Sequence, residues 1–151
     1  MLAGKWTFRS FGNQAVLIDG DPAAALVLLA EEGVLDLEAE GDHRFHGGIG
    51  IGPGRALTVG GTVEPGIADG PRCFSMLGEG VGGTATEGWR YRYRGIVGPL
   101  LPGGAEPLPL LMGTVLRMRG GEEADALSFI AVRQPPPPPR ARRVFTLMAD
   151  I

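Results

Sequence analysis

Between Glu87 and Gly95 three aromatic residues, Trp89, Tyr91 and Tyr93, alternate with three arginines, Arg90, Arg92 and Arg94. A period of two sends successive side chains to opposite faces of a strand, so this segment has one dry face and one wet face. The same period recurs at Lys5 to Phe11, where Trp6 and Phe8 share a face, and at Val34 to Glu38. Further strands are predicted at His43 to Ile51, Arg55 to Val63, Arg72 to Gly80, Leu110 to Arg119 and Ala126 to Gln134. Gly52-Pro53-Gly54 and Pro65-Gly66 supply turns, and Gly120-Gly121 joins the last two strands as a hairpin. The pattern predicts an all-β fold of about eight antiparallel strands, an up-and-down β-barrel, with an open sandwich as the competing arrangement.

One segment breaks the pattern. Asp21-Pro22 precedes the run Ala23 to Ala30, and Gly33 follows it. Asp21 suits a helix N-cap, Pro22 the first helical position and Gly33 a helix end, so one short helix is predicted near the N-terminus. Because it is apolar on nearly all sides it needs cover, which plugging one end of the barrel would provide. A buried strand over Leu26 to Ala30 is the alternative.

Among the 151 residues, 26 glycines and 13 prolines accompany 44% hydrophobic and only 21% charged residues, which favours frequent turns over disorder. The barrel is expected to span residues 1–134 as one domain. Pro135 to Pro139 end it, because prolines cannot join a sheet ladder. The tail from Arg140 to Ile151 is basic and then apolar. Two roles are open for it: adding a strand to the sheet edge of a neighbouring subunit, which makes a homodimer, or packing on its own barrel.

A formal net charge of -3 gives no general attraction for phosphate backbones, so no nucleic-acid partner is expected. Cys73 is the single cysteine, so no internal disulfide forms. The longest apolar run, Ala23 to Ala30, is short of the roughly 20 residues needed to cross a bilayer, and no secretion signal precedes it. A soluble, cytoplasmic protein with no membrane partner is expected.

Candidate chemistry follows from the aromatic strand. Turned inward, Trp89 lines a cavity wall while Tyr91 and Tyr93 offer two phenol hydroxyls, and buried phenols need a partner. Glu79, on the preceding strand between two glycines, would have a raised pKa on an inward face and could act as acid or base; the competing reading is an exposed carboxylate near a turn. Leu110, Met112, Thr114, Leu116 and Met118 share a face that reads as a soft cavity wall, with Arg117 and Arg119 on the solvated side. His43 and His46, the only histidines, lie on opposite faces of a strand and cannot form a metal pair, and no glycine motif suits a nucleotide. No metal or cofactor is expected. The favoured reading is a barrel that encloses a small apolar or aromatic metabolite. The second is a cofactor-free cyclase or isomerase that shapes its substrate in the barrel, with Tyr91, Tyr93 and Glu79 as the polar groups and Trp89, Met112 and Thr114 as ligand contacts. The third is a structural or assembly module acting through the tail.

Gly4-Lys5-Trp6 on the first strand resembles the Gly-x-Trp motif of the calycin superfamily, the small barrels that include lipocalins and avidin-like proteins, and Ala131-Val132-Arg133 places an arginine at the end of the last strand as that superfamily does. The resemblance implies that Trp6 closes one end of the barrel and that Arg133 packs across its indole, both structural roles. Gly78-Glu79-Gly80, Trp89 to Tyr93 and Ser128 to Val132 are also similar to a pattern in uncharacterised bacterial proteins of this shape. No residue matches the biotin site of the avidin-like members. The helix near the N-terminus departs from the lipocalin pattern of a strand and long loop.

Overall fold

The computed structural model describes residues 2–66, 71–98, 109–121 and 124–138. Its strands are β1 (Gly4–Gly12), β2 (Leu29–Glu40), β3 (Arg44–Gly50), β4 (Ala56–Val63), β5 (Cys73–Gly80), β6 (Trp89–Val97), β7 (Leu110–Arg119) and β8 (Asp125–Arg133). Each pairs antiparallel with the next, and β8 returns to β1, with Trp6 opposite Arg133. The barrel is therefore closed and the sandwich is excluded. Closure also pairs every described strand on both sides, so a strand exchanged from a tail would find no free edge on this barrel. The tail beyond Pro138 lies outside the described residues.

α1 (Pro22–Leu28) lies between β1 and β2, and the Asp21 side chain accepts from the Ala23 N–H at 3.0 Å as its N-cap. The helix is one turn shorter than expected and ends at Leu28, because the next residues already belong to β2. Gly33, read above as a helix end, is a strand residue: a Cβ there would lie 1.8 Å from the Gly50 carbonyl oxygen of β3. Nor does α1 plug the barrel. None of its residues is buried, and Leu26 and Val27 are more than 70% exposed.

Side chains on one parity of each strand point inward and form the core. Seven rings touch in a continuous column down the barrel. Trp89 lies parallel to Tyr91 at 5.9 Å, Tyr91 meets Tyr93 at 6.3 Å, and Tyr93 meets Phe8 and Phe129 at 6.0 and 5.6 Å. Phe129 meets Phe74 at 6.1 Å, and Phe74 meets Phe45 at 6.5 Å. Inward glycines make room for this column: a Cβ on Gly61 would lie 2.6 Å from the Phe45 ring, and one on Gly95 3.0 Å from Phe74. Leu35, Ile49, Leu57, Leu111 and Val115 fill the space around the rings. No helix among the described residues is long and apolar enough to cross a membrane.

Candidate functional site

The two barrel ends are both covered by a tryptophan and an arginine. At one end the Trp6 indole N–H donates to the Leu2 carbonyl at 3.0 Å. The Arg133 guanidinium lies 5.9 Å from the Trp6 ring centroid and donates to the Ala3 carbonyl at 2.6 Å. Trp6 is completely buried. The pair occupies the places that the resemblance implies, and every polar group named here meets backbone.

The other end is built from the first residues of β2 and β6 and the last of β7. The inward parity of Leu37 and Leu35 continues through Gly33 to Glu31, so the strand carries a carboxylate into the barrel. On β6 the inward parity carries Trp89, Tyr91 and Tyr93. The register pairs Tyr91 with Arg117 and Tyr93 with Val115, and Trp89 with Arg119, so the two arginines share the inner face of β7 with Val115 and Leu111. Trp89 is set by the turn before it: its N–H donates to the Thr86 carbonyl at 2.9 Å. The fully buried Thr86 hydroxyl in turn donates to the Ala56 carbonyl at 2.8 Å.

These elements bring one carboxylate oxygen under three donors. Glu31 Oε1 accepts from the Tyr91 hydroxyl at 3.0 Å, from Arg117 Nη1 at 2.9 Å and from Arg119 Nη2 at 2.5 Å. Arg119 Nε also donates to Tyr91 Oη at 2.7 Å. The far edge of Arg117 holds Asp125 in a bidentate pair at 3.0 and 2.5 Å. Arg119 lies 4.3 Å over the Trp89 ring, and Arg55 lies 5.7 Å from that ring. Glu31 Oε2, in contrast, is buried with no partner among the described residues, as are Tyr93 Oη and Ser10 Oγ. Ser10 is directly opposite Glu31 in the β1–β2 register, so these two side chains are inward neighbours.

Burial, and then the Glu31 carboxylate, push the Tyr91 phenol up to about 12. The same two causes, in the same order, hold Tyr93 well above the ordinary phenol value. Both tyrosines are therefore protonated donors at neutral pH. The hydrogen bonds from Arg117 hold the Asp125 carboxyl below its usual range, and those to Asp125 raise the Arg117 guanidinium.

Of the residues singled out from the sequence, Tyr91, Tyr93 and Trp89 come together at this end. Glu79 does not join them. Phe74, Met76 and Gly78 take the inward parity of β5, which leaves Glu79 on the outer wall 3.9 Å from Arg90. Met112 and Thr114 are likewise on the outer wall, because the inward face of β7 is the one with Leu111, Val115 and the arginines. Both faces of β7 contain apolar residues, and pairing with β6 decides between them. Glu31, Arg117, Arg119 and Ser10 are the site residues that the sequence reading missed. Glu31 lies on the same parity as Leu35 and Leu37, but Glu32 beside it and Val34 on the outer parity break the apolar–polar alternation, so the pattern carries no signal for it.

Clefts open on the outside of the barrel, near Gly4, Arg133 and Pro135, over β2 and β3, and near Leu2 and His43. The middle of the lumen is occupied by the ring column. No cluster of histidine, cysteine and carboxylate side chains suited to a metal occurs among the described residues, and His46 points outward toward Glu38 and Glu40. Comparison with protein families, curated proteins and solved structures finds no match to this chain.

Proposed function

We propose that this barrel binds a small aromatic or otherwise apolar molecule at its Trp89 end, and that Glu31 Oε2 takes the ligand's own N–H or O–H donor. The observation that carries this reading is the buried, unpartnered oxygen of Glu31. Leaving a carboxylate oxygen dry and unpaired costs stability, and the Trp6 end shows that this barrel closes without a carboxylate. A ligand with one ring and one donor would answer both features: the ring extends the column that ends at Trp89, and the donor meets Oε2. Arg119 is the movable piece, since its side chain is 29% exposed while that of Arg117 is 12% exposed. The depth of the lumen, filled by side chains, is not the seat proposed. The Trp6–Arg133 pair supports a calycin-like lineage for such a binder, and the exposed, free Cys73 suits a cytoplasmic setting.

The test is a thermal-shift and tryptophan-fluorescence screen with phenols, aromatic amines and aromatic amides, run beside their donor-free methyl derivatives. Donor-bearing compounds should stabilise the protein and perturb Trp89 fluorescence, and Trp89→Phe should remove the fluorescence response. Equal response to the methylated compounds, or none to any, overturns the reading.

A cofactor-free isomerase or cyclase is the second reading, favoured by the unpartnered Tyr93 hydroxyl on the same strand as Tyr91. In that case Glu31 Oε2 takes a proton from carbon, the electron pair moves into the adjacent carbonyl, and Tyr93 donates to the resulting oxyanion. The proton then returns at another carbon. Incorporation of solvent deuterium into a bound carbonyl compound, abolished in Glu31→Gln, separates enzyme from carrier.

A further inference from the structure

The outer wall carries two charge ladders of opposite sign on opposite sides of the barrel. On β6 the outward residues are Arg90, Arg92 and Arg94, and on β2 they include Asp36, Glu38 and Glu40. β2 and β6 are four strands apart in either direction around the ring of eight. In each ladder the charges recur every second residue, about 6.7 Å apart along a strand, so the two repeats match in spacing.

Neighbours neutralise each ladder only in part. Arg90 has Glu79 at 3.9 Å, but Arg92 is flanked in register by Leu77 and Leu116, and Arg94 by Ser75 and Thr114. No carboxylate lies within salt-bridge distance of Arg92 or Arg94 among the described residues. On β2, Asp36 has Lys5 only at 3.9 Å, and Glu38 and Glu40 share the single His46. The acidic ladder also borders an open trough. Gly48 and Gly50 are directly opposite Asp36 and Val34 and carry no side chain, and with Ala56 they floor a groove of about 480 Å³ on the outside of β2 to β4. Apolar surface accompanies both ladders: Leu116 and Met118 beside the arginines and Val34 beside the acids are each about 40% exposed.

From these ladders we infer that a second copy of this chain is the partner of each: the arginine ladder of one copy lies along the acidic, glycine-floored groove of the next. The stems of Arg92 and Arg94 cover Val34 and the groove floor while their guanidinium groups meet Asp36 and Glu38. Since the two surfaces differ, the contact is head-to-tail, and since they face opposite ways, joining them extends a row rather than closing a pair. Exposed ion pairs are individually weak, so the association is concentration-dependent and is lost on raising salt from about 0.01 M to about 1 M, where screening becomes nearly complete within a few ångströms.

Sedimentation velocity on the full chain tests this with three variants. In the first, Arg92→Gln and Arg94→Gln remove the ladder and leave the groove. In the second, Asp36→Asn and Glu38→Gln do the reverse. In the third, Gly50→Gln fills the groove at a position where a Cβ meets nothing within 4 Å. All four residues changed on the ladders are exposed, so unfolding midpoints should stay close to that of the wild type. Wild-type protein should form a salt-sensitive series of species at low ionic strength, and each variant alone should sediment as a monomer. An equimolar mixture of the first two should form dimers and nothing larger, because only one complementary joint remains per pair. A wild type that stays monomeric at low salt overturns the inference. So does association that survives in the variants or strengthens with salt, or a mixture that fails to dimerise.

Discussion

Two tryptophan–arginine covers close this barrel, and they use the same residues for different ends. Arg133 over Trp6 donates to the Ala3 carbonyl, and the indole is fully buried and hydrogen-bonded to Leu2. Arg119 over Trp89 spends its donors on Glu31 and Tyr91, and the indole stays partly exposed. The first arrangement leaves no buried side-chain polar atom without a partner among the described residues. The second holds a carboxylate with one oxygen unsatisfied beside two further unpartnered hydroxyls. A cover that is complete in itself fits a structural part, whereas a buried acceptor without a partner is the feature on which the proposed ligand reading rests.

The sharpest way to break this contrast is to remove each tryptophan. Trp6→Ala should cost about 3–5 kcal/mol in urea unfolding, as expected of a fully buried large ring, while Trp89→Ala should cost no more than about 2 kcal/mol, in line with a partly buried ring in cation–π contact. Equal losses would mean that both ends are structural. Next in size is Glu31→Ala, which leaves Arg117 and Arg119 without their shared carboxylate and should cost about 3 kcal/mol. Replacing the group together, with Glu31→Leu, Arg117→Met and Arg119→Met, should restore most of that stability, because matched apolar residues avoid desolvating charge. The restored protein should still fail to respond to donor-bearing aromatic ligands. If it responds as the wild type does, the cluster serves stability alone.

A smaller effect is expected in alkali. The fold raises the pKa of Tyr91 to about 12 and that of Tyr93 in the same direction, so it favours the protonated phenols. Their contribution is full below the unfolded phenol value of about 10 and is lost as pH rises from there through the folded values. The chain has only these two tyrosines, so the tyrosinate absorption band reports on them directly. Native protein should show little of it near pH 10, and unfolded protein should show about half of its full intensity. The smallest effect belongs to Asp125→Asn at the exposed rim of the cluster, where no more than about 1 kcal/mol should be lost. For this carboxyl the sign is reversed: its pKa is lowered in the fold, so its contribution is present above the ordinary carboxylate value and fades as pH falls through the lowered one.

Strand number, the limits of every strand except β2 to within a residue or two and the inward turn of Trp89, Tyr91 and Tyr93 were all legible along the chain. A period of two with one aromatic and one arginine face admits only one orientation in water, because the rings gain from burial and the guanidinium groups lose. The same reasoning misplaced Met112 and Thr114, and of the two readings it left open for Glu79 the exposed carboxylate is the one the structure has. On β7 both faces hold apolar residues, and on β5 glycines flank the carboxylate, so local pattern does not say which face is inside. Glu31 was hidden differently: a good N-cap and an alanine-leucine run drew the helix over it, and only pairing with β1 showed where β2 begins.

Alternation of apolar and polar residues thus determined, without any coordinates, that this chain makes strands, roughly where they lie and that its aromatic rings face inward. Those choices are local and depend on one strand's contact with water. Closure into a barrel, the convergence of Glu31, Tyr91, Arg117 and Arg119, and the unpaired Oε2 were decided only in three dimensions. Closure and register bring together, within this cluster, residues up to 88 positions apart, and no local pattern records which partners a buried carboxylate will meet.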